Sequence, residues 1–273
     1  MLQFGTALQY LNPQEILQME RFEGKIALIT GSGRGIGFAI AQGLAREGAK
    51  GIVINDIVPE RARSAAKAIS ASHTSAFPVV ADVSREDDIE RMIEACIKEY
   101  GRLDILVNNA GIAQVASSAE LPKVDWDKVI DTDLTGVFLC CKAAARYMMR
   151  DGGGKILNIG SINGLNAFPR RVAYGTAKAG VAQITRVLAC EWAEWNIYVN
   201  AVAPGYTLTE MNEQLIEQGA IDKKTIADRV PLKRWAQVEE IAKPALFLLS
   251  NDANFITGVT LPVDGGWTAY GYI

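Results

Sequence analysis

Ser161, Tyr174 and Lys178 are the residues whose types and spacing could do chemistry. They lie in SINGLNAFPRRVAYGTAKAG, residues 161–180, with the tyrosine thirteen positions after the serine and the lysine four after the tyrosine. On a helix, residues i and i+4 share a face. An ammonium beside a phenol favours the ionised phenol. A phenol poised in this way can take a proton from an alcohol or return one to a carbonyl. A serine hydroxyl close by can hydrogen-bond the same oxygen. The three residues alone would equally suit a surface Tyr/Lys pair and a turn serine, so their surroundings decide.

A second stretch suits phosphate. TGSGRGIG follows the apolar run KIALIT and holds Gly31, Ser32, Gly33, Arg34, Gly35, Ile36 and Gly37. Missing side chains let backbone approach a pyrophosphate, and the start of the next helix offers free N–H groups and a positive dipole end. The strict G-x-G-x-x-G spacing is absent, because position 36 is Ile. Asp56 ends the next apolar run, nineteen residues after Gly37. An acid there accepts hydrogen bonds from the adenosine ribose hydroxyls. Its charge opposes a 2′-phosphate, which predicts NAD as the preferred cofactor. Arg34 pulls toward NADP, although Ile57 adds no second cation.

The elements that must position these residues alternate. Apolar runs at 25–30, 51–56, 75–83, 103–111, 155–161, 197–205 and 258–266 read as strands. Helical patterns follow the glycine turn as far as Glu47 and cover about 59–71, 85–100, 124–149, 171–194 and 237–250. A charged stretch, 206–236, reads as irregular. This alternation predicts an α/β fold: a doubly wound parallel sheet of about seven strands with helices on both faces, in a single Rossmann domain over 25–273. Pro78 removes a ladder donor, so the third strand belongs at an edge, as in the order 3-2-1-4-5-6. Ligands in such sheets bind beyond the carboxyl ends of the strands, where the candidate residues cluster. Residues 1–24 read as an extension, with Asn12-Pro13-Gln14-Glu15 opening a short helix over 13–21.

Together these motifs closely resemble the short-chain dehydrogenase/reductase family, over about residues 24–266. The family's T-G-x-x-x-G-x-G is Thr30–Gly37, its D-V pair is Asp82-Val83, and its N-N-A-G is Asn108–Gly111, with Ala110 between. Its serine, tyrosine and lysine are Ser161, Tyr174 and Lys178, and its P-G with a following threonine is Pro204-Gly205 with Thr207 and Thr209. The resemblance implies an NAD(P)-dependent oxidoreductase. In it Tyr174 is the acid/base, Lys178 holds the ribose and assists the tyrosine, Ser161 orients the substrate oxygen, and Thr207 or Thr209 holds the nicotinamide amide. It also implies a homotetramer built through the two long helices and the last strand.

One position departs from the pattern. DTDLTG places Asp133 where the family usually has an asparagine that helps hold a water linked to the lysine. Either the Asp133 carboxylate enters that relay, or the position serves the shape of the helix. Specificity in the family lies in the segment corresponding to 206–236, which is expected to act as a substrate lid. The INDI stretch, Asp133 and the ending NFITGVTLPVDGGWTAYG resemble members acting on polyols, sugars and sugar acids. The alternatives are a 3-oxoacyl-(acyl-carrier-protein) reductase and, in another class, a nucleotide-binding sensor or scaffold without catalysis.

The remaining composition narrows the field. A formal net charge of −3 gives no basic surface for nucleic acid. No apolar run reaches the 18 or so residues of a membrane helix. The start of the chain has no secretory pattern, so a cytoplasmic protein with a small-molecule substrate is expected. Cys96, Cys140, Cys141 and Cys190 form no metal or redox motif with each other or with His73, and read as reduced core thiols. No metal site is expected.

Overall fold

The computed structural model describes residues 21–71 and 74–271. The helix expected over 13–21 and His73 fall outside these residues, apart from Arg21. The strands are β1 (Ile26–Ile29), β2 (Gly51–Asp56), β3 (Ser75–Val80), β4 (Ile105–Asn108), β5 (Gly154–Ile159), β6 (Ile197–Pro204) and β7 (Thr260–Val263). All pair in parallel in the order β3-β2-β1-β4-β5-β6-β7. β3 is therefore an edge strand, and Pro78, opposite Ile54, costs the sheet no interior bond.

The helices are α1 (Gly35–Arg46), α2 (Pro59–Ser70), α3 (Glu86–Tyr100), α4 (Lys123–Ile130), α5 (Gly136–Arg150), α6 (Val172–Trp192), α7 (Glu210–Glu217), α8 (Lys223–Arg229) and α9 (Val238–Leu249). Pro59 starts α2 with its fixed φ, and Gly101 ends α3 in the left-handed conformation at φ 82°. Two findings about the helices differ from the sequence expectation. The helix expected over 124–149 contains a π-helical turn, Asp131–Thr135, between α4 and α5. The stretch 206–236 is not irregular, since it carries α7 and α8, capped by the side chains of Thr209 and Asp222.

Strand residues alternate between two cores. Ala27, Ile29, Ile52, Ile54, Val107 and Leu157 pack with α1, α2 and α9 on one face. Ile26, Leu28, Val53, Leu106, Ile156 and Val199 pack with α3, α5 and α6 on the other. This period of two, apolar in both directions, is what a doubly covered parallel sheet requires. Phe22 is buried in the first core, and Arg21 donates to the Glu47 carboxylate at 2.6 and 2.8 Å. Residues 21 and 22 thus pack with the sheet domain, although the sequence grouped them with the extension.

Three of the four cysteines are buried, but Cys190 is exposed on α6, contrary to a uniform core assignment. Burial pushes the Cys96 and Cys141 thiols up to about 12, which keeps them protonated and unreactive. Among the described residues no group of three or more His, Cys, Asp or Glu could hold a metal, and no helix is long and apolar enough to cross a membrane.

Candidate active site

The carboxyl ends of the strands open into one cleft of about 750 Å³, within the size range of small-molecule sites. It is lined by Gly31, Arg34, Gly35 and Ile36 after β1, Asp56 at the end of β2, and Asp82 and Val83 beyond β3. Ala110 and Gly111 after β4, Ser161 after β5, Tyr174 and Lys178 on α6, and Pro204, Gly205, Thr207 and Thr209 at the end of β6 and beyond complete the wall. Asp133, from the π turn, also faces it.

At the phosphate turn, Gly31 and Gly35 adopt positive φ of 59° and 61°. A Cβ on Gly31 would lie 2.7 Å from Ala110 Cα, so glycine lets the β1 and β4 turns touch. The Thr30 hydroxyl accepts from the N–H of Asn109 at 3.0 Å and of Ala110 at 3.1 Å, which locks the two turns together. α1 begins without a side-chain cap and without an acid in its first turn. Its free N–H groups are left to an anionic ligand. Asp56 is buried, and its Oδ1 accepts from the Val58 N–H at 2.9 Å. A Cβ on Gly33 would meet Asp56 Oδ2 at 2.5 Å, so that carboxylate lies against the turn. Arg34 does not stand free, because it forms an ion pair with Glu210 at the start of α7.

Four expected cofactor residues do not line the cleft. Ser32 is buried and donates to the Ile29 carbonyl at 2.8 Å, so it closes the turn. Gly33 and Gly37 give room to Asp56 and to the Asn109 side chain. Asn108 points inward and donates to Asn158 Oδ1 at 2.8 Å, while Asn158 donates to the Thr185 hydroxyl at 2.9 Å. That buried chain ties β4 to β5 and α6. Asn109, absent from the sequence expectation, does the joining at the cleft, donating to the Thr30 and Gly31 carbonyls at 3.0 and 2.8 Å. The signal was present: successive strand residues face opposite ways, so only one asparagine of the pair could point inward.

At the chemical end, Ser161 caps a short 3-10 turn, Ile162–Gly164, and its Oγ accepts from the N–H of Asn163 at 3.1 Å. A Cβ on Gly164 would lie 2.6 Å from the Lys178 carbonyl, so glycine lets this turn press on α6. The Lys178 ammonium lies 5.5 Å from the centroid of the Tyr174 ring. It is buried, donates to the Ile159 carbonyl at 3.0 Å, and pairs with Asp133 Oδ2 at 3.1 Å. Asp133 is wholly buried, and its Oδ1 accepts from the Ile112 N–H at 2.8 Å.

Burial alone would push the Lys178 ammonium down, but the charges of Asp133 and Tyr174 outweigh it and the net direction is up. Burial pushes the Asp133 carboxyl up, opposed by Lys178 and the Ile112 N–H. The arrangement can fix a cation beside a phenol and a hydroxyl in a cleft shared with a phosphate-binding turn. That geometry suits proton transfer to and from an alcohol oxygen. Asn163, Arg171 and Tyr206 also line this end of the cleft, and of these only Tyr206 was singled out from the sequence.

The same architecture recurs in known proteins. The enoyl-(acyl carrier protein) reductase family profile matches residues 31–268. A 3-oxoacyl-(acyl-carrier-protein) reductase of Thermotoga maritima is 39% identical over 90% of this chain and 98% of its own length. A 2-dehydro-3-deoxy-D-gluconate 5-dehydrogenase of Escherichia coli is 37% identical over 93% of this chain and 99% of its own. The crystal structure of a gluconate 5-dehydrogenase from Burkholderia cenocepacia, in complex with NADP and tartrate, is 39% identical. It superposes with a TM-score of 0.87, over 93% of this chain and 99% of that one. With the sheet order, the glycine turn and the Ser161–Tyr174–Lys178 cleft, these matches make the chain a member of the short-chain dehydrogenase/reductase family, NAD(P)-dependent oxidoreductases acting on CH–OH groups.

Proposed function

We propose that this enzyme interconverts a secondary alcohol and a ketone on a polyol, sugar or sugar acid, with Tyr174 as the general acid/base. The observation that carries the reading is the single cleft in which Tyr174 and Ser161 stand beside a buried Lys178 fixed by Asp133. In the oxidising direction Tyr174 Oη takes the proton of the substrate hydroxyl. In the reducing direction it returns that proton to the carbonyl oxygen. Ser161 donates to the same oxygen and orients it. The positive charge of Lys178 stabilises the negative charge that develops on Tyr174. One N–H of the ammonium serves the Ile159 carbonyl and its charge is paired with Asp133, which leaves donor capacity for a ribose hydroxyl.

The residues present fit a nicotinamide dinucleotide, which supplies hydride transfer when bound. The turn Gly31–Gly37 and the uncapped start of α1 would hold the pyrophosphate, and Asp56 the adenosine ribose. Asp82, Val83, Ala110 and Gly111 would flank the adenine side. Lys178, Pro204, Gly205, Thr207 and Thr209 would hold the nicotinamide half. Asn108 would support this wall from behind. The segment 206–236 would act as the lid, with α7 tied to the phosphate turn through Glu210 and Arg34.

Relatives acting on gluconate and 2-dehydro-3-deoxy-D-gluconate support the sugar-acid end of this range. The second reading is a 3-oxoacyl-(acyl-carrier-protein) reductase, favoured by a relative of that name at 39% identity. We further propose a homotetramer. Phe138 on α5 and Val187 on α6 are large apolar side chains exposed on the long helices. Sedimentation equilibrium should give about four times the 29.6 kDa chain mass, and a monomer would refute the assembly.

Tyr174→Phe is expected to lower kcat at least about a hundredfold with cofactor binding retained, as loss of a general acid/base requires. Steady-state turnover and cofactor titration by fluorescence check this. Near-normal turnover would remove Tyr174 from the chemistry, while a wild-type enzyme inert toward both alcohols and ketones would favour the sensor or scaffold reading.

NAD is expected to give the higher kcat/KM. The Asp56 carboxylate lies against the phosphate turn where a 2′-phosphate would sit, and Arg34 is engaged by Glu210. Arg61, which also lines the cleft there, is the opposing cation. Asp56→Ser should narrow the ratio by improving NADP use. A wild-type preference for NADP would show that the arginines outweigh Asp56.

A further inference from the structure

Among the described residues, no acid forms an ion pair with Arg171 in the cleft. Arg171 stands three residues before Tyr174, at the N-cap of α6, and lines the cleft with Ser161, Asn163, Tyr174 and Tyr206. Its side chain is half-buried. The charged and titratable groups that act on it are Tyr206, Tyr174 and Arg170, with no acid among the described residues. Of the other cations lining the cleft, Lys178 is paired with Asp133 and Arg34 with Glu210, while Arg61 lies beside Asp56 at the phosphate turn, so Arg171 is set apart by its place beside Tyr174.

The chain accepts local strain to hold this position. Among the described residues, Arg170 is one of three non-glycine residues with a left-handed φ, at 66°. Its carbonyl accepts from the Ala116 N–H at 3.0 Å, which pins the entry to α6. Such conformations persist only where the surroundings enforce them, and they cluster at ligand sites. Tyr206 lines the cleft here and is backed, outside the lining, by Trp267 at 5.2 Å, which stacks on Phe168 at 5.8 Å and has the Arg229 guanidinium over its ring at 4.7 Å. Apolar walls reduce screening and strengthen an ionic contact made inside them. Burial pushes the Arg171 guanidinium down, with Tyr206 and Tyr174 acting against that fall. A partly desolvated cation of this kind gains most from an incoming anion.

We infer that Arg171 binds a carboxylate on the substrate, making the enzyme selective for hydroxy acids over neutral polyols and over thioesters. The planar guanidinium fork matches a carboxylate with two parallel hydrogen bonds. Arg171 is the N-cap of the helix that carries Tyr174 three residues on, and both line the cleft. The carboxylate therefore lies within a few carbons of the reacting carbinol. This inference rests on the reading of Tyr174 as the group that handles the proton of that carbinol.

The test uses D-gluconate and D-glucitol, which share a six-carbon skeleton and differ in charge at one end. kcat/KM for each is measured with the preferred nicotinamide cofactor in the wild type, Arg171→Gln and Arg171→Lys. Calorimetry of D-gluconate binding to the cofactor-loaded enzyme runs in parallel, and thermal midpoints confirm that each variant folds. The wild type should favour gluconate, and the gluconate-to-glucitol ratio should fall at least about tenfold in Arg171→Gln, chiefly through KM. Arg171→Lys should retain an intermediate ratio. An unchanged ratio in Arg171→Gln, no charge preference in the wild type, or no gluconate binding would overturn the inference. Gluconate binding that depends on Arg171 without any oxidation would leave the carboxylate site standing and refute the proposed reaction on sugar acids.

Discussion

The ion pair between Lys178 and Asp133 is the constraint on which the rest of the site depends. Both side chains are buried, and taking each charge out of water costs several kcal/mol. That cost is offset by the contacts each charge keeps, Asp133 Oδ2 having the Lys178 charge alone and no hydrogen-bond donor. Here the ammonium meets Asp133 at 3.1 Å and the Ile159 carbonyl at 3.0 Å, while the carboxylate accepts from Ile112 at 2.8 Å. Four segments must therefore meet at one point: the π turn, α6, the end of β5 and the loop after β4. Two glycines permit the meeting. A Cβ on Gly111 would lie 2.7 Å from Asp133 Oδ2, and one on Gly164 would press into the backbone at Lys178.

The π turn is the local device that brings Asp133 to this point. The N–H of Gly136 donates to the carbonyl of Asp131, five residues back, rather than to the fourth residue back. One extra residue in the turn bulges the helix, and such bulges are frequent at functional sites. Gly136 also packs against the Val83 carbonyl, so the helix that carries Asp133 touches the wall assigned to the cofactor. The proposed substrate and cofactor ends of the cleft thus meet on one structural element. On the opposite side, the Arg34–Glu210 pair links the phosphate turn to α7 and the proposed lid.

Much of this was legible in the sequence. The interior strands β1, β2, β4, β5 and β6 are buried on both faces and so read as short apolar runs, and Pro78 marked the partly exposed edge strand β3. The glycine turn, Asp56 and Ser161 sit where strands end, and the four-residue spacing of Tyr174 and Lys178 puts them on one face of α6. The π turn was not legible: one added residue leaves the apolar pattern of 124–149 almost unchanged. The helices α7 and α8 were hidden by charge, although Thr209-x-x-Asn212 and Asp222-x-x-Thr225 are capping signals that could have revealed them. Arg171 was passed over because its meaning lies in what it lacks, a counter-ion, and pairing is a property of the folded chain.

The central claim is that the Asp133 carboxylate tunes the Tyr174–Lys178 system through charge and not through shape alone. The measurement is kcat against pH in the oxidising direction for the wild type and Asp133→Asn, since kcat reports groups in the bound complex. Asparagine keeps the volume and removes the negative charge. Lys178 then loses the Asp133 charge that raises it while the burial that lowers it remains, so the limb where activity falls at high pH moves to lower pH. That displacement in Asp133→Asn is the expected result, and a profile identical to that of the wild type would contradict a role for the Asp133 charge.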